Sequence, residues 1–234
     1  MAEQIDDNPP FNLPANDEHT TVVGRNGTGK TLLGMFLVSE KDLKSERVVA
    51  LDFKGDDLIN SLQHAQYVDG LKVPQKPGLF IRPFLRAEPN EIDDFLWRLW
   101  EEQDTTIYID EGYFVPQSET GAYKGLLTTG RSRRTPVITL SQRPVRISRY
   151  ALSEVSHVAV FDLNDKRDWK TLDEVLPQGF TTWLPAEFAN GLPKYHSRWY
   201  SVKTGGRYII RPVPDADEIR ERIDSQLEPK RKWL

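Results

Sequence analysis

Short runs of apolar and β-branched residues recur along the chain, separated by stretches whose apolar positions repeat at helical spacing. Residues 20–23 read as a strand, 29–40 as a helix and 47–52 as a second strand. Residues 54–78 show no period. Residues 79–84 read as a strand broken at Pro83, and the clearest helical pattern follows. Asn90 is placed to cap it, and Ile92, Phe95, Leu96, Leu99 and Trp100 fall on one face, the signature of a core-facing helix. Further strands are expected at 105–110, 136–141 and 157–161, with a helix at 166–175. Residues 195–202 and 207–213 flank Gly205-Gly206 as an edge hairpin. Asp215 then opens a charged helix, and Lys230-Arg231-Lys232 form a basic tail.

Strands alternating with helices predict an α/β fold: a mostly parallel sheet flanked by helices, ending in a C-terminal β-hairpin and helix. The expected organisation is an extended arm over residues 1–18, rich in proline at Pro9, Pro10 and Pro14, a core over 19–180, and an extension over 181–234 packed on that core.

Composition narrows the classes. With 234 residues, 38% hydrophobic and 28% charged, the chain fits one large globular domain with appendages. It contains no cysteine, so disulfides and thiolate metal sites are excluded, and His19, His64, His157 and His196 are too scattered to suggest a ligand cluster. The net charge of -4 makes the whole-protein field mildly repulsive to phosphate, so any nucleic-acid contact must be focal. The apolar run at 32–38 is far short of the ~20 residues that span a bilayer. The opening residues are acidic where a signal peptide would be basic and then apolar. A cytoplasmic protein without membrane insertion is expected.

The chemistry concentrates in two places. Gly24-Arg25-Asn26-Gly27-Thr28-Gly29-Lys30-Thr31 matches G-x-x-x-x-G-K-S/T between a predicted strand and a predicted helix. Glycines let successive backbone N–H groups turn inward around a β-phosphate, and the helix presents its positive end to the anion. Lys30 is expected to reach the β- and γ-phosphates of ATP, and the Thr31 hydroxyl to coordinate Mg2+. The second place is the strand at 105–110, which ends in Asp110 and Glu111. In an open parallel sheet ligands lie at the carboxyl ends of the strands, which aims both acids at the cradle. Asp110 is then a metal ligand, and Glu111 the base that takes a proton from an attacking water.

Four segments in order resemble the FtsK/HerA class of P-loop ATPases, which have a RecA-like fold: the P-loop, Asp52-Phe53-Lys54-Gly55, the Asp110-Glu111 strand, and Gly130-Arg131-Ser132-Arg133-Arg134 followed by a strand and Ser141-Gln142-Arg143-Pro144. The resemblance implies that Gln142 contacts the γ-phosphate region and senses nucleotide state. It implies that Arg131, or else Arg133 or Arg134, is an arginine finger entering a neighbour's active site. Tyr113, Phe114 and Lys124 become candidate lumen residues by the same analogy. Arg143, Arg146 and Arg149 add to an arginine cluster unusual in an acidic chain. The short length is most similar to compact viral genome-packaging ATPases. The resemblance thus implies a homo-oligomeric ring of five or six subunits that hydrolyses ATP and translocates DNA, double-stranded and without sequence preference, into a preformed capsid. A capsid portal or vertex protein is the further partner, and the site of action the host cytoplasm or virion vertex. An assembly ATPase of the Zot type and a nucleotide-binding scaffold are the alternatives. A guanine-nucleotide switch would need N-K-x-D, and 164–168 has the wrong spacing; an ABC-type serine-glycine-glycine signature is absent.

Overall fold

The computed structural model describes residues 10–86 and 88–228. The first half of the expected arm and the basic tail 230–232 lie outside the described residues. In chain order the strands are β1 (Thr20–Val23), β2 (Arg47–Asp52), β3 (Gln66–Tyr67), β4 (Gly78–Pro83), β5 (Thr105–Ile109), β6 (Val137–Ser141), β7 (His157–Val160), β8 (Ser197–Ser201) and β9 (Arg207–Ile210). The helices are α1 (Lys30–Ser39), α2 (Asp57–Asn60), α3 (Pro89–Glu102), α4 (Ala122–Thr129), α5 (Tyr150–Ser153), α6 (Lys166–Asp173) and α7 (Ala216–Leu227).

All nine strands form one sheet in the order β3-β4-β2-β5-β6-β1-β7-β8-β9. Pairing is parallel from β3 through β7 and antiparallel at β7-β8-β9. The central strands are buried on both faces, which is why they read as unbroken apolar runs. Alternate residues of β2 enter different cores: Val49 and Leu51 join Phe95, Leu126 and Leu172 beneath α3, α4 and α6, whereas Val48 and Ala50 join Leu33, Ile59 and Ile223 beneath α1, α2 and α7. The result is a three-layer α/β/α architecture, as the alternating pattern predicts.

Several elements differ from the sequence reading. Asn90 does not cap α3: the helix begins at Pro89, with Glu88 in the cap position and no side-chain cap bond. Proline at the first helical position has a fixed φ and no N–H to satisfy, so it starts the helix before the asparagine. The segment 54–78 is not wholly irregular. It holds α2, capped by the Asp56 side chain on the Leu58 amide at 3.0 Å, and β3, an exposed two-residue edge strand too short to show a period. Between Asp110 and Pro136 lies α4, whose buried Ala122, Tyr123, Leu126 and Leu127 face α3. Among the described residues no helix is long and apolar enough to cross a membrane.

Residues 10–18 run past β9 and β8 toward β7, with Asn16 accepting from Lys41 after α1 at 2.8 Å. Phe11 packs edge-on against Trp199 and Tyr208, and Glu18 pairs with His157 at 2.9 Å. Beyond Glu18, His19 is buried, and its Nδ1 accepts the Val137 amide at 2.9 Å, which requires an unprotonated nitrogen. Burial, reinforced by the charge of Arg131 and opposed by Asp17, lowers the His19 pKa from 6.5 to about 4. The unfolded chain therefore binds a proton that the folded chain refuses. The stability His19 supplies is complete above pH 6.5 and is lost as the pH falls toward 4, by up to about 3 kcal/mol in total. Thermal unfolding at pH 5 is expected about 4–8 °C below that at pH 7. His19→Asn, whose Oδ1 can accept the same amide, is expected to lose that part of the slope; an unchanged slope would show that His19 does not carry it.

Candidate functional site

The carboxyl ends of four neighbouring strands, β2, β5, β6 and β1, converge on one cleft. Parallel register levels them: Val23 lies opposite Ser141, and Ile109 opposite both Thr139 and Leu51. The loop from Gly24 to Gly29 leaves β1, and Lys30 begins α1. Its turn needs all three of its glycines, and Gly27 has φ 74°. Gly29 has φ 104°, a left-handed conformation closed to most side chains, and a Cβ on Gly24 would stand 2.5 Å from the Phe161 Cβ. The loop is braced from inside, since the Thr28 hydroxyl and the Lys30 ammonium both donate to the Arg25 carbonyl, at 2.8 and 3.0 Å. Arg25 also pairs with Asp162 beyond β7 at 2.8 Å.

The acids complete the cleft. Asp110 and Glu111 follow β5 and are fully buried. Glu111 Oε1 accepts the Gln142 backbone N–H at 2.9 Å, so the turn after β6 fixes the carboxylate. Lys54 reaches between the two acids, with its Nζ 3.3 Å from Asp110 Oδ2 and 3.3 Å from Glu111 Oε2. Asp110 Oδ1 has no hydrogen-bond partner among the described residues, an expensive state for a buried carboxylate oxygen. Burial raises the Asp110 pKa to about 6 against the opposing charge of Lys54, with Asp56 and Asp52 adding to the rise. Burial likewise lowers Lys30 to about 8, opposed chiefly by Glu111. Burial also disfavours the Lys54 charge, but the two carboxylates outweigh it and hold its pKa above the ordinary value.

Lys54 is the residue of this cleft to which the sequence alone gave no chemistry. Its signal was the segment Asp52-Phe53-Lys54-Gly55 closing the strand beside β5. The structure supplies the reason for the pattern: the buried Asp52 carboxylate accepts the backbone N–H groups of Lys54, Gly55 and Asp56 at 3.1, 2.8 and 3.3 Å, and Gly55 has φ 70°. That turn aims the lysine at the acids.

The P-loop residues, Asp110, Glu111 and Gln142 are thus brought together, with Thr31 in the first turn of α1. Arg131 is not among them. It sits in a 3₁₀ turn at Gly130–Arg133, before the opposite end of β6, and about 16 Å of strand separates the two ends. It is exposed, pairs loosely with Asp17 at 3.7 Å and lies near enough to His19 to disfavour its protonation. The arginine cluster otherwise works mostly within the chain. Arg133 stacks on Trp100, its guanidinium carbon 3.4 Å from the ring centroid, and Arg134 pairs with Asp104. Arg143 binds Asp165 and Asp168 at 2.7 and 2.8 Å, tying the turn after β6 to the start of α6, and Arg149 approaches Glu174 at 3.8 Å. Of the candidate lumen residues, Lys124 pairs with Glu119 on its own chain, and Phe114 stacks on Phe53.

No family model matches the chain. It is 38% identical over 223 residues to the DNA packaging ATPase P9 of Enterobacteria phage PRD1, covering 94% of this chain and 97% of that protein. Its fold is similar to the genome packaging NTPase B204 of Sulfolobus turreted icosahedral virus 2 in complex with AMP, with a TM-score of 0.67 at 18% identity over 86% of this chain and 100% of B204. VirB4 of Thermoanaerobacter pseudethanolicus is similar over 86% of this chain and 90% of its own, with a TM-score of 0.62 at 10% identity. Fold and cleft agree with the relationship that the sequence identity establishes: the chain belongs to the family of phage DNA packaging ATPases that includes P9.

Proposed function

We propose that this protein is an ATP-hydrolysing ring motor that translocates DNA, packaging a viral genome into a preformed capsid. The observation that carries the reading is the fully buried pair Asp110-Glu111 set against the P-loop lysine, an arrangement that has no structural use matching its cost in desolvation. The Gly24 to Thr31 loop binds the triphosphate, and Lys30 sets its charge against the β- and γ-phosphates. Glu111, held by the Gln142 amide, receives the proton of the attacking water. Gln142, whose backbone N–H holds Glu111, would report the presence of the terminal phosphate.

Mg2+ fits this site. Asp110 Oδ1 is a buried acceptor without a donor among the described residues, Thr31 offers a hydroxyl, and those two residues would hold the cation with the phosphates. Among the described residues no cluster of three or more His, Cys, Asp or Glu side chains forms a cage, in keeping with a cation that takes most ligands from phosphate and water. When bound, it neutralises charge on the β- and γ-phosphate oxygens.

The track is duplex DNA, engaged focally because the whole chain is acidic. ATPase activity is expected to rise with double-stranded DNA of any sequence, and the increment to fall steeply with salt, because backbone contacts release counterions and carry no base information. Steady-state hydrolysis with and without duplex DNA across a salt series tests this. Activity indifferent to DNA at low salt would refute the motor and leave a nucleotide-binding scaffold. A ring of this chain seated on a capsid portal or vertex protein completes the proposal.

A further inference from the structure

The P-loop sets where phosphates lie, and the strand order sets the direction in which the rest of a nucleotide must run. Lys54, Asp110 and Glu111 stand on the side of β1 occupied by β6, β5 and β2. On its other side, beyond β7, a cavity of about 330 Å³ opens directly against Gly29 at the start of α1. That volume falls within the ~300–1,000 Å³ usual for small-molecule sites.

The walls are apolar and come from segments far apart in the chain. Leu32 of α1 and Phe161 after β7 form the core side, and Tyr195, Ile210 and Val213 close the other. Leu32, Ile210 and Val213 are half-buried, each packed on the core with the remainder left to the cavity. Tyr195 is 40% exposed, and its ring carbon Cδ1 stands 3.2 Å from where a Gly29 Cβ would be. Its backbone is left-handed, with φ 67°, a conformation that an aromatic residue holds only where its surroundings impose it and one that clusters at ligand sites.

We infer that this cavity is the slot for the nucleotide base, with the base stacked on Tyr195 against Leu32, Phe161 and Val213, so that the segment after residue 190 completes the nucleotide site. The inference rests on the reading that the P-loop holds a nucleoside triphosphate. Continuity with Gly29 identifies the occupant, because a flat aromatic group tethered to phosphates in the loop has this apolar space beside it. Charged groups are confined to Arg211 and Asp215, and an Asp215 carboxylate oxygen already accepts the Glu218 amide as the α7 cap, at 2.9 Å. Such a slot reads ring area more than hydrogen-bond pattern. Purines are favoured over pyrimidines, and adenine and guanine are poorly distinguished.

The test measures binding of ATP, GTP, CTP and inorganic tripolyphosphate, each with Mg2+, to the full chain. Tyr195→Ala is expected to weaken ATP by about tenfold or more while leaving tripolyphosphate unchanged, and Tyr195→Phe to retain wild-type affinity. In the wild type, ATP and GTP are expected to bind within a few fold of each other and both more tightly than CTP. Unchanged ATP affinity in Tyr195→Ala, equal losses of ATP and tripolyphosphate, or CTP binding as tightly as ATP would each overturn the base slot while leaving the phosphate site standing. A wild-type chain that bound neither ATP nor tripolyphosphate would overturn the phosphate reading, and the slot with it.

Discussion

Lys30→Ala is expected to lose ATP binding, whereas Glu111→Gln is expected to keep it and to lose turnover. The two residues share the cleft but do different work. Lys30 is 5% exposed and spends its ammonium on the Arg25 carbonyl at 3.0 Å, a neutral partner that a phosphate oxygen readily replaces. Alanine removes that charge from a site where little water screens it. Glu111 is anchored by the Gln142 amide on Oε1, and the glutamine side chain retains a carbonyl oxygen for that bond. The backbone anchor therefore survives the substitution, whereas the basic oxygen and its ion pair with Lys54 are lost, and loss of the base is expected to reduce kcat by ~10²–10⁴. Nucleotide binding and single-turnover hydrolysis, measured on both variants, separate the roles. Equal loss of binding in the two would refute the division.

Arg131→Ala is expected to abolish turnover while ATP still binds. The exposed guanidinium, with one weak contact to Asp17 and its own cleft at the far end of β6, suits a group that serves another subunit. Arg133 and Arg134 are held by Trp100 and Asp104, which favours Arg131 for the role. A finger supplied in trans contributes ~10³–10⁵ in rate, roughly 4–7 kcal/mol. A surface charge contributes far less. Specific activity of the wild type is expected to rise with protein concentration as subunits assemble. Mixing Arg131→Ala with Glu111→Gln is expected to restore part of the activity, because one class of mixed interface has both an intact finger and an intact base. Near-wild-type turnover in each single arginine variant, or concentration-independent activity in a demonstrated monomer, would refute a shared site.

Much of this was legible in the sequence because the signals are local. The P-loop, the apolar strands, the Gly205-Gly206 hairpin and the Asp215 cap each depend on a few consecutive residues, and the structure repeats them closely. Elements with little buried surface of their own escaped. β3 is two exposed residues whose pairing is decided by β4, and α2 is a single capped turn. α4 carries two glycines at its start and middle, Gly121 and Gly125, which weaken its helical pattern; close packing explains the second, since a Cβ there would stand 3.1 Å from Trp97. The Lys54 contact escaped because it joins two strand ends that only the sheet order makes adjacent. The arginine cluster points the other way. Six arginines in a short span suggested a common external purpose, and five of them meet partners on the same chain, Arg131 and Arg149 only loosely.

The position of β1 in the sheet governs when the cleft can come into being. Its two neighbours, β6 and β7, come from the second half of the chain: the His19 contact with Val137 spans 118 positions, and the Arg25 contact with Asp162 spans 137. The phosphate loop is made early in synthesis, but the strands that brace it on both sides arrive more than 100 residues later. Pairings of such sequence separation are slow, since the chain between them must be ordered before the contact repays it. A nascent chain shorter than about 160 residues therefore has the loop without β7 on one side of it. The cleft is assembled only once roughly two-thirds of the 234 residues have been made, so its closure is a late event in folding during synthesis.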